Sequence, residues 1–408
     1  MGYLKDTVKG ITWVGAFRGV TRLVGFVKTA ILARILIPAQ FGLFGIAALA
    51  LAFLEILVET GINVFLIQEK DNIDEYIDTA WVVSIIRGIV ISFVIILTAK
   101  PVSIFFKSPD SMNLLYLIAV VPFVRGFINP SLVKLQKELQ FKKEFWLKSS
   151  IFLFDAGVTV ALALTIRSAT SLVWGLIAGA VLEVLLSYIY VRPIPKLSFK
   201  KVKIKRIINR GKWVTGAGIF QYLFRQGDDA VVGKILGTSS LGLYQVAYKI
   251  SSLPISEVAD VIARVTFPVY TKISKDSKRF KNAFCKTILA VSVLVVPFGL
   301  VIFFFSREII LIILGDKWLE AVPVLRVLSI YGVIRAIINP SLTVFLAVKK
   351  QELVTLITFI SVLGLAVSIV PLVIKFGIVG AGISTIIGSL ISLPFVVYFS
   401  WKVLSDIK

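Results

Sequence analysis

The fold class this sequence predicts is an all-α integral membrane protein of about twelve membrane-spanning helices in two six-helix lobes. Three observations carry the expectation. Hydrophobic residues make up 57% of the 408 and the mean hydropathy is +0.92, above the roughly 45–50% apolar usage of soluble domains. The apolar residues come in runs long enough to cross a bilayer, divided by short basic segments. The second half of the chain also repeats motifs of the first at a nearly constant spacing.

A span needs about 20 apolar residues, so spans and short connections use up the length and leave no sizeable soluble catalytic domain. Run length and breaker residues place the spans near 10–36, 41–67, 79–99, 112–133, 146–166, 171–191, 212–236, 241–269, 286–306, 320–347, 353–374 and 379–402.

The net charge is +22. Clustered cations can signal nucleic acid, but here they punctuate apolar runs, which makes topology their cause and leaves no nucleic-acid partner. With the N-terminus inside, the inward segments hold 27 Lys and Arg and the outward ends 8. Positively charged loops stay cytoplasmic, so a multi-pass protein of the cell membrane with both termini cytoplasmic is expected. Residues 1–9 read as a short cytoplasmic tail rather than a cleavable leader. The absence of histidine removes imidazole catalysis, histidine metal sites and histidine proton relays. Cys285, the lone cysteine, cannot close an intrachain disulfide.

The repeat sets the domain organisation. Trp13-Val14 matches Trp213-Val214, and Arg34-Ile35-Leu36 with Phe41-Gly42-Leu43-Phe44 matches Lys234-Ile235-Leu236 with Leu241-Gly242-Leu243-Tyr244, all 200 residues apart. Val124-Arg125 and Ile128-Asn129-Pro130-Ser131-Leu132 match Ile334-Arg335 and Ile338-Asn339-Pro340-Ser341-Leu342 at 210. The copies lie six spans apart, so both halves have the same orientation and a pseudo-two-fold axis runs along the membrane normal. This divides the chain into an N-terminal lobe at 1–191, a basic cytoplasmic linker at 192–211 and a C-terminal lobe at 212–408. The linker reads either as an anchor on anionic lipid headgroups or as a capture site for an anionic partner.

Ionisable groups inside a bilayer are costly and face a bundle interior or a wet cavity. Ten cations and eight anions fall within the spans, close enough to balance that many should be paired. Residues three or four apart share a helix face, and four spans carry polar stripes. Arg18 and Arg22 lie on the first, Glu55, Glu59 and Asn63 on the second, Gln221, Arg225 and Asp228/Asp229 on the seventh, and Ser252, Ser256, Asp260 and Arg264 on the eighth. These stripes either lock the bundle through interhelical ion pairs or line a cleft between the lobes. For the cleft, Arg18, Arg22, Arg225 and Arg264 are the candidate substrate-binding cations, because the planar guanidinium donates paired hydrogen bonds to phosphate or carboxylate. Glu55, Glu59, Asp228, Asp229 and Asp260 are the candidate cavity or ion-coupling acids. Pro130 and Pro340 remove a backbone hydrogen bond deep in their spans and should kink or end the helix, either as ordinary shaping or as hinges. Arg125 and Arg335, each four residues before the motif's asparagine, share its face and should bond the freed carbonyls.

Other chemistries lack their residues. Gly227 to Lys234 superficially resembles a phosphate loop, but the spacing is one residue too long and the segment is apolar helix. Asp228-Asp229 lacks the further aspartate of a prenyl-diphosphate motif, since Val232 stands there. No catalytic constellation and no metal site is read.

Several stretches carry a family resemblance: Glu59-Thr60-Gly61-Ile62, Leu66-Ile67-Gln68-Glu69-Lys70-Asp71, Asp78-Thr79-Ala80-Trp81, Gly237 with Leu241-Gly242-Leu243-Tyr244, Phe267-Pro268-Val269-Tyr270 and Leu314-Gly315-Asp316-Lys317-Trp318. In these the chain resembles the polysaccharide transport (Wzx-type flippase) family of the multidrug/oligosaccharidyl-lipid/polysaccharide exporter (MOP) superfamily. The resemblance implies two six-helix lobes, a cationic central cavity, and alternating access that carries a polyprenyl-diphosphate-linked oligosaccharide from the cytoplasmic to the outer leaflet. It implies no cofactor beyond H⁺ or Na⁺ as coupling ion, and membrane lipids and glycan biosynthesis enzymes as neighbours of a monomer. The alternatives are a multidrug or cation exporter of the related branch, with an acid-lined, aromatic-rich pocket, and a membrane glycan polymerase or glycosyltransferase, which would need large catalytic loops.

Overall fold

The computed structural model describes residues 2–58, 62–68, 73–274 and 276–406, and at 2–11, 64, 68, 201–221, 223–225, 253 and 406 it describes the backbone alone. Every regular element among them is helical. The chain forms two compact units, residues 1–230 and 231–408.

The first unit begins with α1 (Gly2–Ile35) and α2 (Pro38–Leu57), joined by a tight corner at Ile37-Pro38. Proline at the first helical position costs nothing, since its missing N–H would be unsatisfied there anyway. The short α3 (Ile62–Gln68) leads to α4 (Asp74–Phe105), whose 32 residues make about 48 Å of helix at 1.5 Å per residue. Then come α5 (Asp110–Ile118), α6 (Val120–Arg125), α7 (Val133–Lys137), α8 (Phe141–Ile166) and α9 (Thr170–Tyr190). The long α10 (Lys201–Ile273) carries the chain into the second unit and turns at Gly237, where φ is +84°. In the second unit α11 (Ser277–Phe304) and the short α12 (Ser306–Ile313) precede α13 (Val322–Ala347) and α14 (Gln351–Asp406). Gly377, at φ +60°, divides α14 into two arms; only glycine takes such a backbone without strain.

Seven helices among the described residues are long and apolar enough to cross a membrane, and an eighth span forms if the bent pair around Ile128–Pro130 counts as one. Their packing is that of a protein solvated by lipid. In α11 only 28% of the apolar window is buried, while Leu289, Val293 and Phe304 point outward. Apolar patches of that extent need an apolar surround.

Small residues let the helices approach closely, as expected where lipid supplies no hydrophobic drive between spans. In the first unit α8 packs against α1 and α9, and α4 against α5 and α6; in the second α13 packs against α11 and α14. A Cβ at Gly175 of α9 would lie 2.8 Å from Asp155 Oδ1 on α8. A Cβ at Gly88 of α4 would lie 3.0 Å from the Cα of Gly126.

The repeated Ile-Asn-Pro-Ser-Leu motif takes two conformations. In the first unit the helix ends before Asn129, which is extended (φ −67°, ψ 115°), and Pro130 starts a short 3₁₀ turn. The segments on either side meet at 70°. In the second unit α13 runs on through Pro340, so the proline ends a helix in one copy alone. The surroundings account for the difference. Asn129 Oδ1 accepts from the Ser131 N–H, Asn129 Nδ2 and Ser131 Oγ both donate to the Pro193 carbonyl, and the Asn129 N–H donates to Ser187 Oγ. The start of the linker thus holds the break open.

Candidate functional site

A cavity of about 520 Å³ lies inside the first unit among α2, α3, α4, α6, α7, α8, α9 and the Asn129–Pro130 break. Its charged lining consists of Glu55, Arg87, Arg125, Glu144, Lys148 and Glu183. These six side chains come from five helices. Glu55 comes from the last turn of α2, Arg87 from the middle of α4, Arg125 from the end of α6, Glu183 from α9, and Glu144 with Lys148 from one face of α8.

The breaking of α6 puts Arg125 at the centre. Its Nη1 stands 3.4 Å from Glu55 Oε1 and its Nε 3.8 Å from Glu183 Oε2. Arg87 Nη2 donates to the Glu55 carbonyl at 2.8 Å, tying α4 to the same corner. Glu144 accepts from Gln136 and pairs with Lys148 one turn along α8. Three cations and three carboxylates leave the described lining formally neutral, which suits a polar group without large net charge. Its described lining includes no aromatic ring.

Arg125 does not bond the carbonyls freed by the proline, contrary to expectation. Trp81 Nε1 and Tyr188 Oη donate to the Phe127 carbonyl there, so larger donors from neighbouring helices already serve the break and the guanidinium turns to carboxylates. Arg335 departs from the same expectation. In unbroken α13 its Nη1 donates to the hydroxyl oxygens of Tyr248 and Tyr331, at 3.2 and 3.0 Å.

Of the residues nominated from sequence, Glu55 and Pro130 line this cavity. Arg18 and Arg22 are exposed on α1, and Asp260 and Arg264 are exposed on α10. Asp228 is buried and Asp229 half-buried, with the Asp229 N–H donating to Asp228 Oδ1. Pro340 is buried within α13. Glu59 and the side chain of Arg225 lie outside the described residues. Arg87, Arg125, Glu183, Glu144 and Lys148 were not among the nominees. The one signal that pointed to the first three was their charge inside a span.

Residues 31–323 match the family described as polysaccharide biosynthesis protein. The chain belongs to that family. Among its relatives, a membrane protein in the cps region of Klebsiella pneumoniae is 28% identical over 402 residues, covering 97% of this chain and 82% of the relative. The lipopolysaccharide biosynthesis protein WzxC of Escherichia coli K12 is 26% identical, with 86% and 72% covered. The teichuronic acid biosynthesis protein TuaB of Bacillus subtilis is 24% identical, with 86% and 73% covered. Among solved structures, the lipid II flippase MurJ in an inward closed conformation aligns with a TM-score of 0.76 at 15% identity, over 97% of this chain and 90% of that one. An inward-facing multidrug resistance transporter of the MATE family, from the MOP superfamily, aligns at 0.73 and 13%, over 95% of each. At those identities the family member shares their fold, an all-helical multi-pass membrane architecture, and nothing finer follows from the likeness.

Proposed function

We propose that this family member is a transporter, not an enzyme, and specifically a flippase. It moves a polyprenyl-diphosphate-linked oligosaccharide from the cytoplasmic to the outer leaflet by alternating access, driven by an H⁺ or Na⁺ gradient. The sugar head crosses through polar space within the helices while the polyprenyl tail stays in lipid. The observation that carries the reading is the 520 Å³ cavity walled by spans and lined with paired charges. Its volume falls in the roughly 300–1,000 Å³ range of small-ligand sites, large enough for sugar rings, and its ion pairs can exchange partners with hydroxyl groups. Relatives whose names place them in lipopolysaccharide and teichuronic acid biosynthesis support the substrate class.

A multidrug exporter would favour an acid-lined, aromatic-rich pocket, and the described lining has balanced charge and no aromatic ring. Glu55 is the acid best placed for coupling, since it lies in the cavity wall against Arg125. The test uses purified protein in vesicles loaded with fluorescent lipid-linked oligosaccharide. Translocation should exceed that of protein-free vesicles and rise with an imposed H⁺ or Na⁺ gradient. No excess over protein-free vesicles would refute the reading.

A further inference from the structure

The two copies of the repeat surround their matching arginines with opposite chemistry. In the first, Arg125 faces the carboxylates of Glu55 and Glu183. In the second, Arg335 has no carboxylate within ion-pair distance among the described residues, and its partners are two phenols. The sequence register accounts for the change. At the spacing of 200, Glu55 corresponds to Ile255 and Ala48 to Tyr248; at 210, Val121 corresponds to Tyr331. The packing agrees, because Ile255 lies against Gly332, one turn before Arg335, where a Cβ would stand 3.0 Å from Ile255 Cδ1. An acid has been exchanged for an apolar residue, and small or apolar residues for tyrosines, around a cation that was kept.

Arg335 sits midway along α13 (Val322–Ala347) and its side chain is exposed. A cation at that depth with no acid beside it among the described residues is costly, which leaves it open to an anion that is not part of the chain. The geometry readies it for one. Arg335 Nη1 donates to Tyr331 Oη at 3.0 Å and the guanidinium lies 5.9 Å from the Tyr331 ring centre. The Tyr331 hydroxyl thereby accepts from Arg335 and keeps its own hydrogen to donate. A phenol that accepts a charged hydrogen bond donates more strongly, and the remaining guanidinium N–H groups form a fork suited to two oxygens of one anion.

We propose that Arg335 and Tyr331 form an anion-accepting subsite in the second unit, with Tyr248 as the residue that positions the guanidinium. It takes a phosphate or carboxylate group of the cargo at mid-membrane depth. This rests on the flippase reading for the source of the anion; the affinity of the subsite for an anion does not depend on it.

The experiment measures binding to the full chain in nanodiscs of neutral phosphatidylcholine. The probes are farnesyl diphosphate with farnesol as its uncharged counterpart, and methyl glucuronide with methyl glucoside. Arg335→Gln should weaken binding of an anionic probe about tenfold or more, the range expected for a charge-assisted pair, and Tyr331→Phe a few-fold. Neither should change binding of farnesol or methyl glucoside. Ile255→Glu restores the acid of the first copy beside an intact Arg335 and should weaken the same probe as strongly, while Ile255→Gln, which controls for a polar group in that buried position, should not. Loss for farnesyl diphosphate assigns the anion to the lipid-linked diphosphate; loss for the glucuronide alone assigns it to an acidic sugar. Anionic probes that bind the wild type no more tightly than their neutral counterparts, or that bind Arg335→Gln as tightly as wild type, overturn the subsite. A wild-type chain that binds the anion yet moves no lipid-linked sugar in vesicles would instead sink the flippase reading and leave the subsite standing.

Discussion

Lys28 on α1 donates to Asp155 on α8 at 2.9 Å, and both side chains are largely buried, at 15% and 11% exposure. The pair lies where α8 meets α9, and Gly175 and Gly179 of α9 leave Asp155 the room it occupies. Removing one member of a buried ion pair strands the other charge and costs about 3–5 kcal/mol, whereas replacing both with apolar groups can be neutral. Asp155→Asn should therefore lower the midpoint of unfolding in a detergent titration, and the double change Lys28→Met with Asp155→Leu should recover most of the loss. Equal midpoints for wild type and Asp155→Asn would remove the pair from the account of stability.

The same helix contact makes a paired prediction about glycine. A Cβ at Gly175 would meet Asp155 Oδ1 at 2.8 Å and the Asp155 carbonyl oxygen at 2.9 Å, whereas a Cβ at Gly157 on α8 meets nothing within 4 Å. Gly175→Ala should force α8 and α9 apart and reduce the yield of monodisperse protein on size exclusion. Gly157→Ala should be neutral or gain stability, because alanine favours a helix over glycine by about 0.8–1 kcal/mol. If the two variants behaved alike, the close approach would be inconsequential.

One substitution made in both copies of the repeat should have unequal effects. Asn129 is fully buried and holds the break through Ser131 and Pro193, while Asn339 lies inside continuous helix. Asn129→Ala should cost about 1–2 kcal/mol, the loss of a cap and a buried hydrogen bond. Asn339→Ala should change stability little, since alanine is the better helix former. Thermal unfolding of the two purified variants decides the matter, and equal shifts would contradict the two conformations.

Residues near one another in sequence were readable; residues brought together by folding were not. Run length and composition announced an all-helical membrane fold, of which seven or eight candidate spans stand among the described residues, and the self-similarity exposed Arg125 and Arg335 as a matched pair. Helical spacing reports which residues share one face, so it singled out Arg18 with Arg22, which the fold leaves exposed on α1. Glu55, Arg125 and Glu183 belong to three separate helices, and nothing in their spacing links them. The same limit applies to the proline motif. Its five residues are identical in both copies, and Ser187 and the Pro193 carbonyl, present beside one copy, decide which conformation forms.

Among the described residues Arg125 is the one that faces both Glu55 and Glu183, so its removal leaves two carboxylates without the cation between them, and nearby like charges repel. All three side chains are a quarter to two-fifths exposed, so solvent screens them and little stability is at stake. The effect should fall on transport. Arg125→Gln should reduce translocation of lipid-linked oligosaccharide in vesicles to a tenth or less, with protein insertion unchanged. Glu183→Gln, which leaves the Glu55 pair in place, should reduce it less, and adding Glu55→Gln and Glu183→Gln to Arg125→Gln should restore part of the loss by removing the repulsion. Wild-type rates in Arg125→Gln would exclude the cluster from the transport path.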